Sequence, residues 1–325
     1  MIAALAAQCG QMMLVLALAP LLTGLTRKVK ARLQRRIGPP LLQPYRDLRR
    51  LFGKEAVLAE DASWLFRAAP YAIFAATWVA AALVPTFRTG LLFSWTGDLI
   101  AIVALLGAAR FLQALAALDT GTSFGGIGAS REIMIATLAE PAMIVVVFTV
   151  ALAAGSSQLS TIAAFMAQSH AWHASLGMAL VALVIVALAE NARIPVDNPA
   201  THLELTMVHE AMVLEYSARH LALIEWAASL KLLLYVSVIG CIFFPFGLMT
   251  GGLMTGGPGL AGDGLAGEGL GLAAYLLKVI VAGGLLGVLE SVIAKMRVFR
   301  VPNLLGIGLM LGLLGTLLLF IAGGM

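Results

Sequence analysis

Eight long apolar stretches, at about 2–26, 68–86, 98–118, 132–154, 172–190, 221–246, 272–294 and 302–323, decide what this chain can fold into. A hydrocarbon layer of ~30 Å takes roughly 20 helical residues to cross, and every stretch is close to that length. The runs are continuous and do not alternate, so they read as helices rather than barrel strands. Of the 325 residues, 61% are hydrophobic and only 12% are charged. A soluble domain needs roughly a quarter of its residues charged to cover its surface. Lipid must therefore cover much of this one. The expected fold is all-α, a polytopic membrane helix bundle of about eight transmembrane helices in a single membrane domain over 1–325.

Charge in the connections sets the orientation. Arg27, Lys28, Lys30, Arg32, Arg35, Arg36, Arg46, Arg49, Arg50, Lys54 and Arg67 lie between the first two spans. The alternate connections carry Arg131, then Arg193 and Arg219, then Lys295, Arg297 and Arg300, whereas the opposite set has only Arg88. The positive-inside rule puts the basic set in the cytoplasm and both termini outside. The first span has no basic residues before it and reads as an anchor rather than a cleaved signal. Within the cytoplasmic loop 27–67, residues 42–53 pattern as a short amphipathic helix for the headgroup zone, with Leu41, Leu48, Leu51 and Phe52 on one side. The Gly-rich segment 247–271 reads as a flexible outer loop. Cys9 and Cys241 are too few for an iron–sulfur cluster or a zinc site and read as buried membrane residues, so no cofactor is expected in this chain.

Several ionisable residues fall inside the spans: Arg110, Glu140, Glu225, Lys231, Lys278 and Glu290, with Glu190 closing the fifth. Each would cost at least ~2.5–3.5 kcal/mol facing lipid, so they should face the bundle interior. Glu140, nine residues beyond Arg131, would lie about 13 Å into the membrane at ~1.5 Å per residue. All but Lys278 fall in the inner half, which suggests a polar cavity entered from the cytoplasm. They could equally be structural ion pairs between helices.

The acidic cytoplasmic loop 190–220 is the densest titratable segment, with Glu190, Asp197, Glu204, Glu210 and Glu215 beside Arg193 and three histidines. Pro195 and Pro199 forbid regular helix from 194 to 199, and Thr201 with Glu204 forms a capping box that starts a helix. On that helix Glu204 and Glu215 would share a face. His202 and His209 would stand ~10 Å apart along the axis, too far for one zinc ion. Crowded carboxylates and histidines can hold and pass protons near neutrality. A solvated face or a docking surface would have the same composition.

The loop AENARIPVD (189–197) resembles the membrane subunit of respiratory complex I that adjoins the quinone site, in the spacing of Glu190, Arg193, Pro195 and Asp197. Glu215-Tyr216, the segment GASR (128–131) followed by Glu140, and the first loop QRRIGPPLLQPYRDLRRLFGKE (34–55) are similar to the same family. The resemblance implies an eight-helix fold placed between a redox arm and a proton-pumping membrane arm. It departs in a shortened first loop after Gly38-Pro39, in Ala200 and His202 at two acidic positions, and in Glu290 where complex I subunits carry a base. Those features look like the branch found in membrane-bound energy-converting nickel–iron hydrogenases, of the formate hydrogenlyase and hydrogenase-4 types.

That branch implies a membrane-anchoring and coupling subunit, non-catalytic alone, in a bacterial inner membrane. Its implied partners are cytoplasmic iron–sulfur and hydrogenase large and small subunits, antiporter-like membrane subunits and the lipid bilayer, with no nucleic acid. Iron–sulfur clusters and a nickel–iron centre would sit in those partners. The expected proton pathway comprises Arg110, Arg131, Glu140, Glu190, Arg193, Asp197, Glu204, Glu210, Glu215, Lys231 and Glu290. The alternatives are the quinone-site subunit of an NADH:quinone oxidoreductase, a purely structural anchor, and a self-sufficient transporter. The last would show an internal repeat, and no clear one is found.

Overall fold

The computed structural model describes residues 2–58, 62–89, 96–168, 174–193, 208–250, 253–254, 265–293 and 300–323. Among them are eleven helices: α1 Ile2–Leu33, α2 Gln43–Phe52, α3 Trp64–Leu83, α4 Leu99–Asp119, α5 Ser123–Ala154, α6 Leu159–Gln168, α7 Ala174–Glu190, α8 His209–Val213, α9 Ala218–Ile242, α10 Leu265–Val292 and α11 Val301–Gly323. Seven of these are long and apolar enough to cross a membrane. The remaining expected span is α7, whose 17 residues reach about 25 Å. The amphipathic segment is helical as α2, burying Pro44 and Leu48.

The helices are joined by close contacts suited to a membrane interior. α11 packs on α7 and α5, α3 on α4 and α9, and α1 on α10 and α9. Lipid supplies no hydrophobic drive between helices, so small residues that let backbones approach carry the association. On α10, a Cβ added at Gly287 would stand 2.9 Å from Val29 Cγ1 of α1. A Gly287→Leu substitution should therefore overpack that seam by about 1–3 kcal/mol and lower the amount of chain recovered in membranes. Unchanged abundance on quantitative immunoblotting would refute this account of the α1–α10 seam. Gly24 serves a different approach: a Cβ there would stand 2.3 Å from the Leu41 carbonyl oxygen, so the first loop and α2 rest directly on α1.

Helix ends within the bundle find polar partners. Gln11 Nε2 donates to Ala82 O at 3.0 Å and Val84 O at 2.7 Å, serving carbonyls that the end of α3 leaves without helical donors. Asp98 caps α4 by accepting from Ile100 N–H at 2.9 Å, and its other oxygen accepts from Ser157 Oγ at 2.9 Å.

Several sequence expectations change. The short helix α6 was not anticipated; it follows α5 directly and buries Leu159, Ile162 and Ala163. The segment expected as an outer loop holds a two-residue antiparallel pair, Met249–Thr250 with Leu253–Met254, and α10 begins inside it at Leu265. Cys241 is buried as expected, but Cys9 is exposed. In the acidic loop, Val208 has φ −122° and ψ −78°, so α8 starts afresh at His209 and ends by Val213. Glu215 lies in the turn beyond it and cannot share a helical face with Glu204, which is outside the described residues. The helix stops because tertiary contacts turn the chain. Tyr216 stacks on Phe66 with ring centroids 4.0 Å apart and donates to the Phe66 carbonyl at 3.2 Å, while Ser217 Oγ donates to Val57 O at 2.7 Å. The helical spacing argument about His202 and His209 lapses with that helix, and His202 is likewise outside the described residues.

Candidate functional site: a buried charge network beneath an acidic loop

Four helices bring five ionisable side chains together. Arg110 of α4 is 7% exposed, and three of its nitrogens each face a different carboxylate. Nε lies 3.5 Å from Glu132 Oε1, Nη1 lies 3.5 Å from Glu140 Oε1, and Nη2 contacts Glu190. Lys231 Nζ of α9 stands 2.8 Å from the other oxygen of Glu190, whose side chain is only 3% exposed. Glu190 therefore joins two bases. The sequence supplies the convergence in an ordinary way: Glu190 ends α7, and Glu140 precedes Pro141 inside α5. The missing N–H of Pro141 loosens the helix at the turn that carries Glu140.

A second cluster lies at the inner end of α10. Glu290 gives one oxygen to Arg193 Nη1 at 3.2 Å and the other to Lys30 Nζ at 3.1 Å. Glu290 is thus not part of the Arg110 network, as a single pathway would have required. Burial pulls the Arg193 guanidinium below its ordinary value, the Glu290 carboxylate pushes it back up, and Arg27 adds repulsion.

Two cavities connect these groups to the loop. One of about 270 Å³ is lined by Arg110, Glu132, Glu190, Arg193, Glu210 and Lys231 among others. The other, of about 540 Å³, lies beside α2 and includes Asp47, Leu48, Arg193, Glu210, Tyr216 and Glu225. Burial, and then the Asp119 carboxylate, push the Tyr216 phenol up. Polar walls on this scale hold water readily.

The sequence-derived residues separate accordingly. Arg110, Glu140, Glu190 and Lys231 meet in one network, Arg193 and Glu290 in the other, and Glu210 lines both cavities. Arg131 and Glu215 are half-buried and line neither of these two cavities. Asp197 and Glu204 lie outside the described residues. Lys278 stands apart, donating to Gly240 O at 3.4 Å and lying 4.6 Å from the Phe246 ring centroid. Sequence reasoning missed Glu132, Arg27 and Gln113, whose amide lies 3.3 Å from His209 Nδ1. A signal for Glu132 existed: it is a second carboxylate on the helix of Glu140, about two turns earlier.

Known proteins share this architecture. A model of the NADH dehydrogenase family matches residues 7–322. The chain is 36% identical to hydrogenase-4 component C of Escherichia coli (strain K12) over 240 residues, covering 73% of this chain and 75% of that protein. It is 35% identical to formate hydrogenlyase subunit 4 of the same strain over 243 residues, 74% and 77% of the two chains. NADH-ubiquinone oxidoreductase chain 1 of Triticum aestivum is 33% identical over 219 residues, 63% of this chain and 66% of that one. The fold also overlays a chain of the membrane-bound sulfane sulfur reductase, an archaeal respiratory membrane complex, with a TM-score of 0.77 at 22% identity, covering 97% of this chain and 99% of the other. With the family model spanning nearly its whole length, this multi-pass membrane protein belongs to the NADH dehydrogenase family, that of complex I subunit 1.

Proposed function

We propose that this chain is the membrane-anchoring and coupling subunit of a hydrogenase-type complex, linking electron transfer in docked cytoplasmic subunits to proton translocation. The observation that carries the reading is the Arg110 network and its cavity, which runs from the mid-membrane carboxylates to Glu210 in the acidic loop. Three carboxylates face two bases there, so full ionisation leaves one buried negative charge in excess. One proton neutralises it, and an uncompensated buried charge is costly enough to favour its uptake. Redox turnover next door changes the charge at the loop, and the network gains or loses that proton in response.

Glu140 supports an onward route. Its side chain is 46% exposed in the isolated chain, in an apolar stripe with Ile144 and Phe148. Lipid is a poor cover for a carboxylate, and a polar face of a neighbouring membrane subunit is a good one. Antiporter-like subunits fit that place, with iron–sulfur clusters and a nickel–iron centre in the cytoplasmic partners, both termini outside and the bacterial inner membrane as the location. The similarity to the two Escherichia coli hydrogenase-type subunits favours this branch.

Glu140→Gln and Asp197→Asn test the coupling role in the assembled complex. Each should leave complex abundance intact while turnover-driven proton transfer into inverted vesicles is lost. Normal proton transfer in both variants would remove the relay. One observation favours a second reading: the cavity of about 540 Å³ is the size of a small-molecule site, as a quinone-linked subunit would need. Turnover of the same preparation that depends on added quinone would select that reading.

A further inference from the structure

The two cavities share part of their walls. Arg27, Arg193, His209, Glu210, Ile224 and Ala228 line both, so they mark the neck between the chamber beside α2 and the chamber beneath Arg110. Two of these are guanidiniums, which stay charged throughout the physiological range. Arg193 is held at the neck by Glu290, whose side chain is 10% exposed and whose second oxygen pairs with Lys30. Lys30 is 39% exposed, so its side of the pair is well screened by solvent.

A free hydronium ion crossing this neck meets fixed positive charge inside a low-dielectric wall, the device by which an arginine excludes protons from a water pore. Glu210 and His209 stand at the same neck and can bind a proton on one side and release it on the other. We propose that Arg27 and Arg193 form a cationic collar that closes the neck to free hydronium, and that Glu290 is the positioning residue keeping the Arg193 guanidinium in it. The inference rests on the coupling function above, and it adds a reason why a water-filled path need not leak.

The test is passive proton permeability of proteoliposomes holding the whole complex, without redox substrate, under an imposed potassium diffusion potential and read with an internal pH dye. Glu290→Gln should raise the leak several-fold and lower the protons moved per electron at equal complex content. Glu290→Asp should restore both. Lys30→Met should stay close to the parent, because Glu290 still holds Arg193. A leak in Lys30→Met as large as in Glu290→Gln would mean that Glu290 merely pins α1 to α10, and would overturn the proposal. Should Glu290→Gln fail to assemble, Arg27→Gln takes its place: a raised leak supports the collar and an unchanged one overturns it. If Glu140→Gln abolishes proton transfer while Glu290→Gln keeps the parental leak, the collar alone falls. If Glu140→Gln and Asp197→Asn both translocate normally, the coupling reading falls instead.

Discussion

Arg110→Leu will deplete the assembled complex and abolish its proton transfer. Arg110 meets Glu132, Glu140 and Glu190 through three separate nitrogens, while Glu190 alone also has Lys231. Removing one partner of a buried ion pair costs about 3–5 kcal/mol, because the remaining charge stays desolvated. At about 1.4 kcal/mol per factor of ten, the loss is enough to cut complex content in membranes tenfold or more. Arg110→Lys separates charge from shape. An ammonium is a single point charge and cannot match the planar fork that presents a different nitrogen to each carboxylate. The lysine variant should regain much of the abundance but little of the proton transfer. Quantitative immunoblots of membranes, with acidification of inverted vesicles per unit complex, would read both effects. Parental abundance and coupling in Arg110→Leu would show that the network contributes nothing to either.

Glu190→Gln separates the relay from the anchor. Its side chain is 3% exposed and joins Arg110 to Lys231, so it is the one carboxylate between both bases. Glutamine keeps the volume, so complex abundance should stay within about twofold. An amide cannot carry a proton at physiological pH, and turnover-linked proton transfer should fall by about a hundredfold, the order that a positioned acid–base group contributes. Losses of abundance and of proton transfer in equal proportion would favour a purely structural anchor. Parental proton transfer would remove Glu190 from any pathway.

The spans were legible because bilayer thickness imposes a length, and the ionisable residues inside them stood out because lipid penalises them. Arg110, Glu140, Glu190 and Lys231 were found that way, and they do meet. Glu132 was not found, because it follows Arg131 near a basic helix end and reads there as an ordinary surface acid. The acidic-loop helix was misjudged for a related reason. A capping box reports where a helix can start, whereas Tyr216 on Phe66 and Ser217 on Val57 decide where it must stop.

The sequence by itself determined the number of apolar spans, the segregation of basic residues into alternate connections, and the set of charges that must avoid lipid. These follow from a chain's own length, hydrophobicity and charge order. Only the tertiary structure decided that those charges divide into an Arg110 network and a separate Glu290 cluster, with two cavities meeting between them. Which carboxylate reaches which base depends on the relative rotation and height of neighbouring helices. Those are fixed by close contacts such as Gly287 on Val29, between residues far apart in the chain.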